Sequence, residues 1–258
     1  AIGAGALATH NLTDNSSGSN VAVGYAAGTA VTTGVKNTLL GARTGTALTA
    51  GSENTVVGRD ALFTDTLGSK SVAIGQDTLA SQNFTTATDT YNTAVGYGAG
   101  LAVTTGISNV LLGGLAGDAL TDADQNVAVG KNAIGSDTLG SQTTAIGHGA
   151  LAAQNFTTAT SSYNVAVGYH AGLSVTTGAY NTFLGGQAGD GSTGGSNNVA
   201  VGYNTLSANA ATNFNVAIGS NAMVAQNEAG RNVAVGYNAL TADTKGGRNV
   251  AVGFGTLQ

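Results

Sequence analysis

The sequence predicts an all-β repeat solenoid, a parallel β-roll of about fifteen coils with a 17-residue period. Three observations predict it. Glycine closes a short apolar run fifteen times, at Gly3, Gly24, Gly41, Gly58, Gly75, Gly96, Gly113, Gly130, Gly147, Gly168, Gly185, Gly202, Gly219, Gly236 and Gly253. The residue before each glycine is aliphatic, and in the copies from Gly24 onward the residue two places earlier is Val or Thr. Asparagine precedes the run in twelve of fourteen copies.

The first two columns define a strand. Side chains alternate with period two, so Val21 and Val23 share one face and Ala22 takes the other. β-Branched residues suit a packed, pleated surface. The middle residue is also apolar, usually Ala and sometimes larger, as at Leu39, Val56, Leu111 and Phe183. A strand apolar on both faces is buried on both. One chain buries only the inner face of a solenoid, so the second face calls for a further copy of the chain.

After the glycine comes a tight turn, the structural task of these glycines. Three residues on, Ala or Thr recurs without exception; the next position is Leu, Ile or Met in nine copies and Gly in six. The bulky copies include Leu7, Leu62, Ile134 and Met223. The glycines are Gly28, Gly45, Gly100, Gly117, Gly172 and Gly189. This segment reads as a second, shorter strand, and its alternation of bulky and absent side chains implies that neighbouring coils share volume.

The asparagines are Asn20, Asn37, Asn54, Asn92, Asn109, Asn126, Asn164, Asn181, Asn198, Asn215, Asn232 and Asn249, with Ser71 and Thr143 in the two remaining copies. Stacked side-chain amides bonding to one another and to turn backbone make a ladder. An exposed recognition row is the competing reading.

Three steps between motif glycines are longer than the rest: Gly3 to Gly24, Gly75 to Gly96 and Gly147 to Gly168. They return at every fourth coil, which defines a 72-residue super-repeat. Asn83-Phe84-Thr85-Thr86-Ala87-Thr88 returns letter for letter as Asn155-Phe156-Thr157-Thr158-Ala159-Thr160, and a diverged copy begins at Asn11-Leu12-Thr13. The extra residues are expected to bulge outward, which makes Asn83, Phe84, Thr85, Asn155, Phe156 and Thr157 candidate surface-contact residues. Asn11, Asn15, Asn83 and Asn155 also sit in Asn-x-Ser/Thr acceptor patterns.

Composition excludes several classes. Proline and cysteine are absent, so no ladder donor is lost to proline and no thiolate metal site or disulfide exists. Net charge is −5 with no basic stripe, which argues against nucleic acid, and no apolar run is long enough for a membrane helix. The three histidines, His10, His148 and His170, have no catalytic or metal-ligating spacing around them and read as turn residues. Asp118, Asp122 and Asp124, with Asp190 in the equivalent loop, could hold Ca²⁺, but the repeats do not preserve the acids. No lysine follows the glycines at phosphate-loop spacing. Tyr25, Tyr97, Tyr169, Tyr203 and Tyr237 directly follow motif glycines and form a packing row or a sugar platform. The chain reads as one continuous repeat domain over residues 1–258 whose ends fall within a repeat, as though cut from a longer fibre. No enzyme activity and no cofactor is expected.

Ser71-Val72-Ala73-Ile74-Gly75 and Asn215-Val216-Ala217-Ile218-Gly219, with Ala222 three residues beyond Gly219, resemble the head repeats of trimeric autotransporter adhesins of the YadA type. Repeats of the Asn-Val-Ala-Val-Gly-Tyr form also resemble those of bacteriophage tail fibres. The resemblance spans the chain, although the 17-residue coil is longer than the adhesin family's. It implies a left-handed β-roll, three chains side by side, and an extracellular attachment fibre on a virion tail or a bacterial surface. Self-association as a homotrimer, end-to-end fibre formation and a cell-surface glycan or protein receptor are the partners it implies; nucleic acid and membrane insertion are not. The alternative is a non-catalytic repeat surface that binds glycan or ice. An ice-binding row would need Thr in every coil, whereas Val31-Thr32-Thr33-Gly34 returns only at Val103 and Val175.

Overall fold

A computed structural model describes residues 1–11, 18–208, 210–225, 228–242 and 245–257. The chain divides into two compact units, residues 1–126 and 127–258, each a parallel β-solenoid with a 17-residue period. No helix occurs among the described residues.

The first unit holds six three-residue strands: Val21–Val23, Thr38–Leu40, Thr55–Val57, Val72–Ile74, Thr93–Val95 and Val110–Leu112. The second holds eight: Val127–Val129, Thr144–Ile146, Val165–Val167, Thr182–Leu184, Val199–Val201, Val216–Ile218, Val233–Val235 and Val250–Val252. Each ends immediately before a motif glycine. The fifteenth expected copy, at Ile2, is reduced to an isolated parallel bridge to Val23. Register is strict: Val21 opposes Thr38, and Val72 still opposes Thr93 across one of the longer steps. The longer coils therefore absorb their extra residues outside this sheet.

Which face points inward is the opposite of what side-chain size suggests. The middle residue of all fourteen strands is buried, whereas none of the flanking Val, Thr, Ile or Leu residues is. Alanine suffices inside because bulky turn residues such as Leu48, Leu62, Leu79 and Ile134 are fully buried and fill the core. Large middle residues are accommodated by glycines. A Cβ on Gly189 would come within 2.5 Å of the Phe183 ring, and one on Gly172 within 2.9 Å. Leu111 stands in the same relation to Gly100 and Gly117, at 2.7 and 2.8 Å. Neighbouring coils do share volume.

The expected second strand in every coil is not there. The residues after each glycine form turns that pass through the left-handed region, as at Asp60 (φ 58°) and Leu62 (φ 49°). Positive φ at alternate residues is incompatible with a strand. Each such residue costs on the order of 1 kcal/mol or more. Coil-to-coil bonds offset the strain, as where the Leu62 N–H donates to the Thr78 carbonyl at 3.0 Å. The motif glycines need both freedoms at once. Gly96 has φ 135°, and a Cβ there would lie 2.5 Å from the Gly113 carbonyl oxygen.

Among the described residues a second strand pair appears only at the longer coils, where Gly68–Ser69 pairs with Thr88–Asp89 and Gly140–Ser141 with Thr160–Ser161. These coils do not simply bulge outward. Phe84 and Phe156 are only 6% and 7% exposed, so the phenylalanine of each segment is a core residue and not a surface contact. Asn83, Thr85, Asn155 and Thr157 remain exposed.

Candidate functional site

The asparagine column lies inside. Asn37, Asn54, Asn92, Asn109 and Asn126 in the first unit, and Asn164, Asn181, Asn198, Asn215 and Asn232 in the second, are at most 1% exposed and out of a ligand's reach. Their Oδ1 atoms accept the backbone N–H one coil ahead, as from Asn54 to Asn37 at 3.0 Å and from Asn198 to Asn181 at 3.0 Å. Their Nδ2 atoms donate across the coil to carbonyls, such as Asn37 to Gly51 at 2.9 Å and Asn181 to Gly195 at 2.8 Å. The half-buried Asn20 and Asn249 join the same pattern, Asn20 accepting from the Asn37 N–H and Asn249 donating its own N–H to Asn232.

Where the column changes to Ser71 and Thr143, a buried polar network takes over that sequence reading missed. Asp65 is fully buried; its Oδ1 accepts the N–H groups of Gly68 and Phe84, both at 3.1 Å, and its Oδ2 accepts from Gln82 Nε2 at 2.6 Å. Gln82 also donates to Ser71 Oγ at 2.9 Å and accepts from Asn92 Nδ2 at 2.9 Å, which rejoins the ladder. The second unit repeats the arrangement with Asp137, Gln154, Thr143 and Asn164. Gly68 is part of it, since a Cβ there would sit 2.8 Å from the Asp65 carboxyl carbon. The available signal was Asp65-Thr66-Leu67-Gly68-Ser69 recurring as Asp137-Thr138-Leu139-Gly140-Ser141.

The outer surface carries four kinds of chemistry. The exposed sheet face is an uncharged strip of Val, Ile and Leu with five threonines (Thr38, Thr55, Thr93, Thr144 and Thr182), with Val21 at 50% and Leu184 at 48% exposure. The threonine column is denser than the Val-Thr-Thr motif suggests. In the first unit Thr32, Thr49, Thr66, Asn83, Thr104 and Thr121 occupy equivalent places in successive coils. Their hydroxyls are partly committed inward, as where Thr49 Oγ1 donates to the Thr66 carbonyl at 3.0 Å.

The tyrosines after the motif glycines are exposed, among them Tyr25 at 65%. Tyr237 of that row, and the pair Tyr163 and Tyr180 outside it, stack on neighbouring rings. Tyr163 and Tyr180 lie 5.4 Å apart at 23°, and Tyr237 and Phe254 5.3 Å apart at 18°. Stacked rings cover one another's faces, where a sugar would sit, and so favour the packing reading for these pairs. His148 and His170 do meet, with ring centroids 5.4 Å apart beside Tyr169. No group of three or more metal-ligating side chains forms among the described residues.

Charges pair along the columns. Lys36 meets Glu53 at 3.1 Å, and Lys70 meets Asp89 at 2.5 Å. The hydrogen bond from Lys70 holds the Asp89 carboxyl below its ordinary range, and the bond to Asp89 raises the Lys70 ammonium.

Asp122 accepts from Thr105 Oγ1 at 2.6 Å and Asp124 from the Ile107 N–H at 2.7 Å, so these acids serve turn backbone and side chains. Asp118 and Asp190 differ, since each has a buried Oδ1 without a hydrogen-bond partner. Burial raises both carboxyls above the ordinary 3.8. A raised folded-state value means that the folded protein holds its proton more tightly than the unfolded chain, so stability falls as pH rises through that interval. Asp118→Asn is therefore expected to melt higher than the parent at pH 7 and level with it at pH 3. Equal melting temperatures at pH 7 would contradict this. Asn15, Leu12 and Thr13 lie outside the described residues, while Asn11, Asn83 and Asn155 are exposed.

No protein-family model, curated protein or solved structure matches the chain. No helix among the described residues is long and apolar enough to cross a membrane.

Proposed function

We propose that the chain is a segment of an extracellular structural fibre that mediates attachment, non-catalytic and self-associating through the outer face of its sheet. The observation that carries this reading is the uncharged, mostly aliphatic strip, which contributes two outward-facing residues per strand within each unit. Monomeric surfaces seldom leave such a strip uncovered. A partner that matches it must repeat with the same coil rise of about 4.8 Å. A second copy of the chain meets that requirement. The adhesin resemblance extends the reading to left-handed coils and three chains side by side, on a virion tail fibre or a bacterial surface.

Multi-angle light scattering tests it. The expected mass is three times the 25.0 kDa chain, and Leu184→Glu with Ile218→Glu should reduce it to one chain with the circular dichroism spectrum unchanged. A monodisperse single chain for the parent protein would overturn the proposal.

A repeat-surface binding module is the second reading, favoured by the threonine column. An ice-binding array would show as ice-crystal shaping, lost when Thr32, Thr49 and Thr104 become valine together with Thr66.

A further inference from the structure

In the column just before the asparagines, Lys36, Glu53 and Lys70 follow one another in the first unit. There the cations Lys36 and Lys70 each have an acid within reach, Glu53 and Asp89. The same column in the second unit ends differently. Phe214, Arg231 and Arg248 follow one another in successive coils, and neither arginine forms an ion pair among the described residues. Their backbones are locked in the left-handed region at φ 67° and 64°, and each is tied to the previous coil, Arg231 N–H to the Asn213 carbonyl at 3.0 Å and Arg248 N–H to the Gly230 carbonyl at 3.3 Å.

Arg231 and Arg248 stand in adjacent coils whose backbones are about 4.8 Å apart, and like charges in neighbouring coils repel each other. An anion between them would remove that repulsion. A groove of about 410 Å³ lies there, lined by Glu228, Ala229, Gly230, Arg231, Gly247 and Arg248. A second hollow of about 180 Å³ continues it past Thr212, Asn213 and Phe214. The Arg231 guanidinium rests 5.6 Å over the Phe214 ring, which orients one fork of the pair.

The lining also says what kind of anion fits. Arginine forks bind carboxylates and phosphates alike through bidentate bonds, so the other lining groups must choose between them. Glu228 opposes extra negative charge, which favours a singly charged carboxylate over phosphate, and its oxygens accept from hydroxyl groups. Asn213 spends its Oδ1 on the Ser196 N–H at 2.7 Å, which leaves its amide N–H groups to donate. Carboxylate, hydroxyls and a shallow open groove together describe an acidic sugar. We infer that the Phe214–Arg231–Arg248 groove binds a uronate-type acidic saccharide, with the two guanidinium groups on its carboxylate and with Glu228 and Asn213 on its hydroxyls.

Acidic-sugar binding here deepens the attachment reading and rests on it for its role, although binding itself does not require three chains. Titration calorimetry on the whole chain would use tetragalacturonate, neutral maltotetraose and inorganic phosphate, with light scattering run on the same samples. The expected result is saturable binding of tetragalacturonate alone, weakening with salt. Arg231→Ala and Arg248→Ala should each weaken it at least tenfold. Arg231→Lys, which keeps the charge and loses the fork, should fall between. Unchanged melting curves would show that these exposed variants fold. Equal binding of phosphate, no binding of tetragalacturonate, or full affinity in both alanine variants would each overturn the inference. The mass measured alongside bears only on self-association, so the two proposals fail separately.

Discussion

Asp65→Ala is expected to destabilise the first unit by about 3–5 kcal/mol, since it strands three buried donors at about 1–3 kcal/mol each, less what relaxation recovers. Those donors are the N–H groups of Gly68 and Phe84 and the Gln82 amide. The isosteric Asp65→Asn is the sharper test. Asparagine can present its carbonyl oxygen to the two backbone donors, but its NH2 group then faces Gln82 Nε2. If Gln82 turns over to accept, its own NH2 group faces Asn92 Nδ2, and the conflict passes into the ladder. Only a carboxylate offers acceptors on both oxygens. Asp65→Asn should therefore still cost about 1–3 kcal/mol. Denaturant unfolding measured for the two variants would decide the matter; an asparagine variant as stable as the parent would remove the carboxylate from this role.

Phe183→Ala is the second large effect, about 3–5 kcal/mol for a fully buried phenylalanine. Its rescue is more informative than its cost. Phe183 fills space left empty by Gly189, and one coil on, the equivalent position holds Leu206 at φ 55°. Leucine therefore tolerates this backbone. Gly189→Leu alone should overpack against the ring and cost about 1–3 kcal/mol or more. The double variant Phe183→Ala with Gly189→Leu should recover more than half of the phenylalanine's loss. A double-mutant cycle measured by unfolding gives the coupling directly. Additive effects of the two changes would show that the coils do not share this volume.

Both effects trace to patterns that are partly readable in the chain. The period was legible because each coil must repeat its glycine: the φ near 135° and the carbonyl of the next glycine leave no room for a Cβ. Volume sharing was legible too, because large middle residues such as Leu39, Leu111 and Phe183 coincide with glycines later and earlier in the coil. The asparagine ladder was readable as one of two alternatives, since stacked amides and an exposed row have the same spacing. The Asp65 and Asp137 networks were not found, although their five-residue repeat was in plain view. A buried carboxylate satisfied only by neutral donors has no charge partner in the sequence to point to it.

The sequence by itself determined that the chain coils, at what interval, and that its strands are apolar on both sides. It could not say which side is inside, because alternation with period two is symmetric and three-residue strands have no ends to break that symmetry. Coil closure decided it: the middle column faces a core already filled by turn residues such as Leu48, Leu62 and Ile134, so it is mostly alanine and is larger at Leu39, Val56, Leu111 and Phe183, while the flanking residues face outward. Tertiary structure likewise turned the expected second strand into left-handed turns, because coil-to-coil hydrogen bonds outweigh a local cost that propensity counts against them. It also drew Phe84 and Phe156 into the core, where longer coils had room for a ring. It set Arg231 beside Arg248, a full repeat away in the chain but only one coil rise away in space.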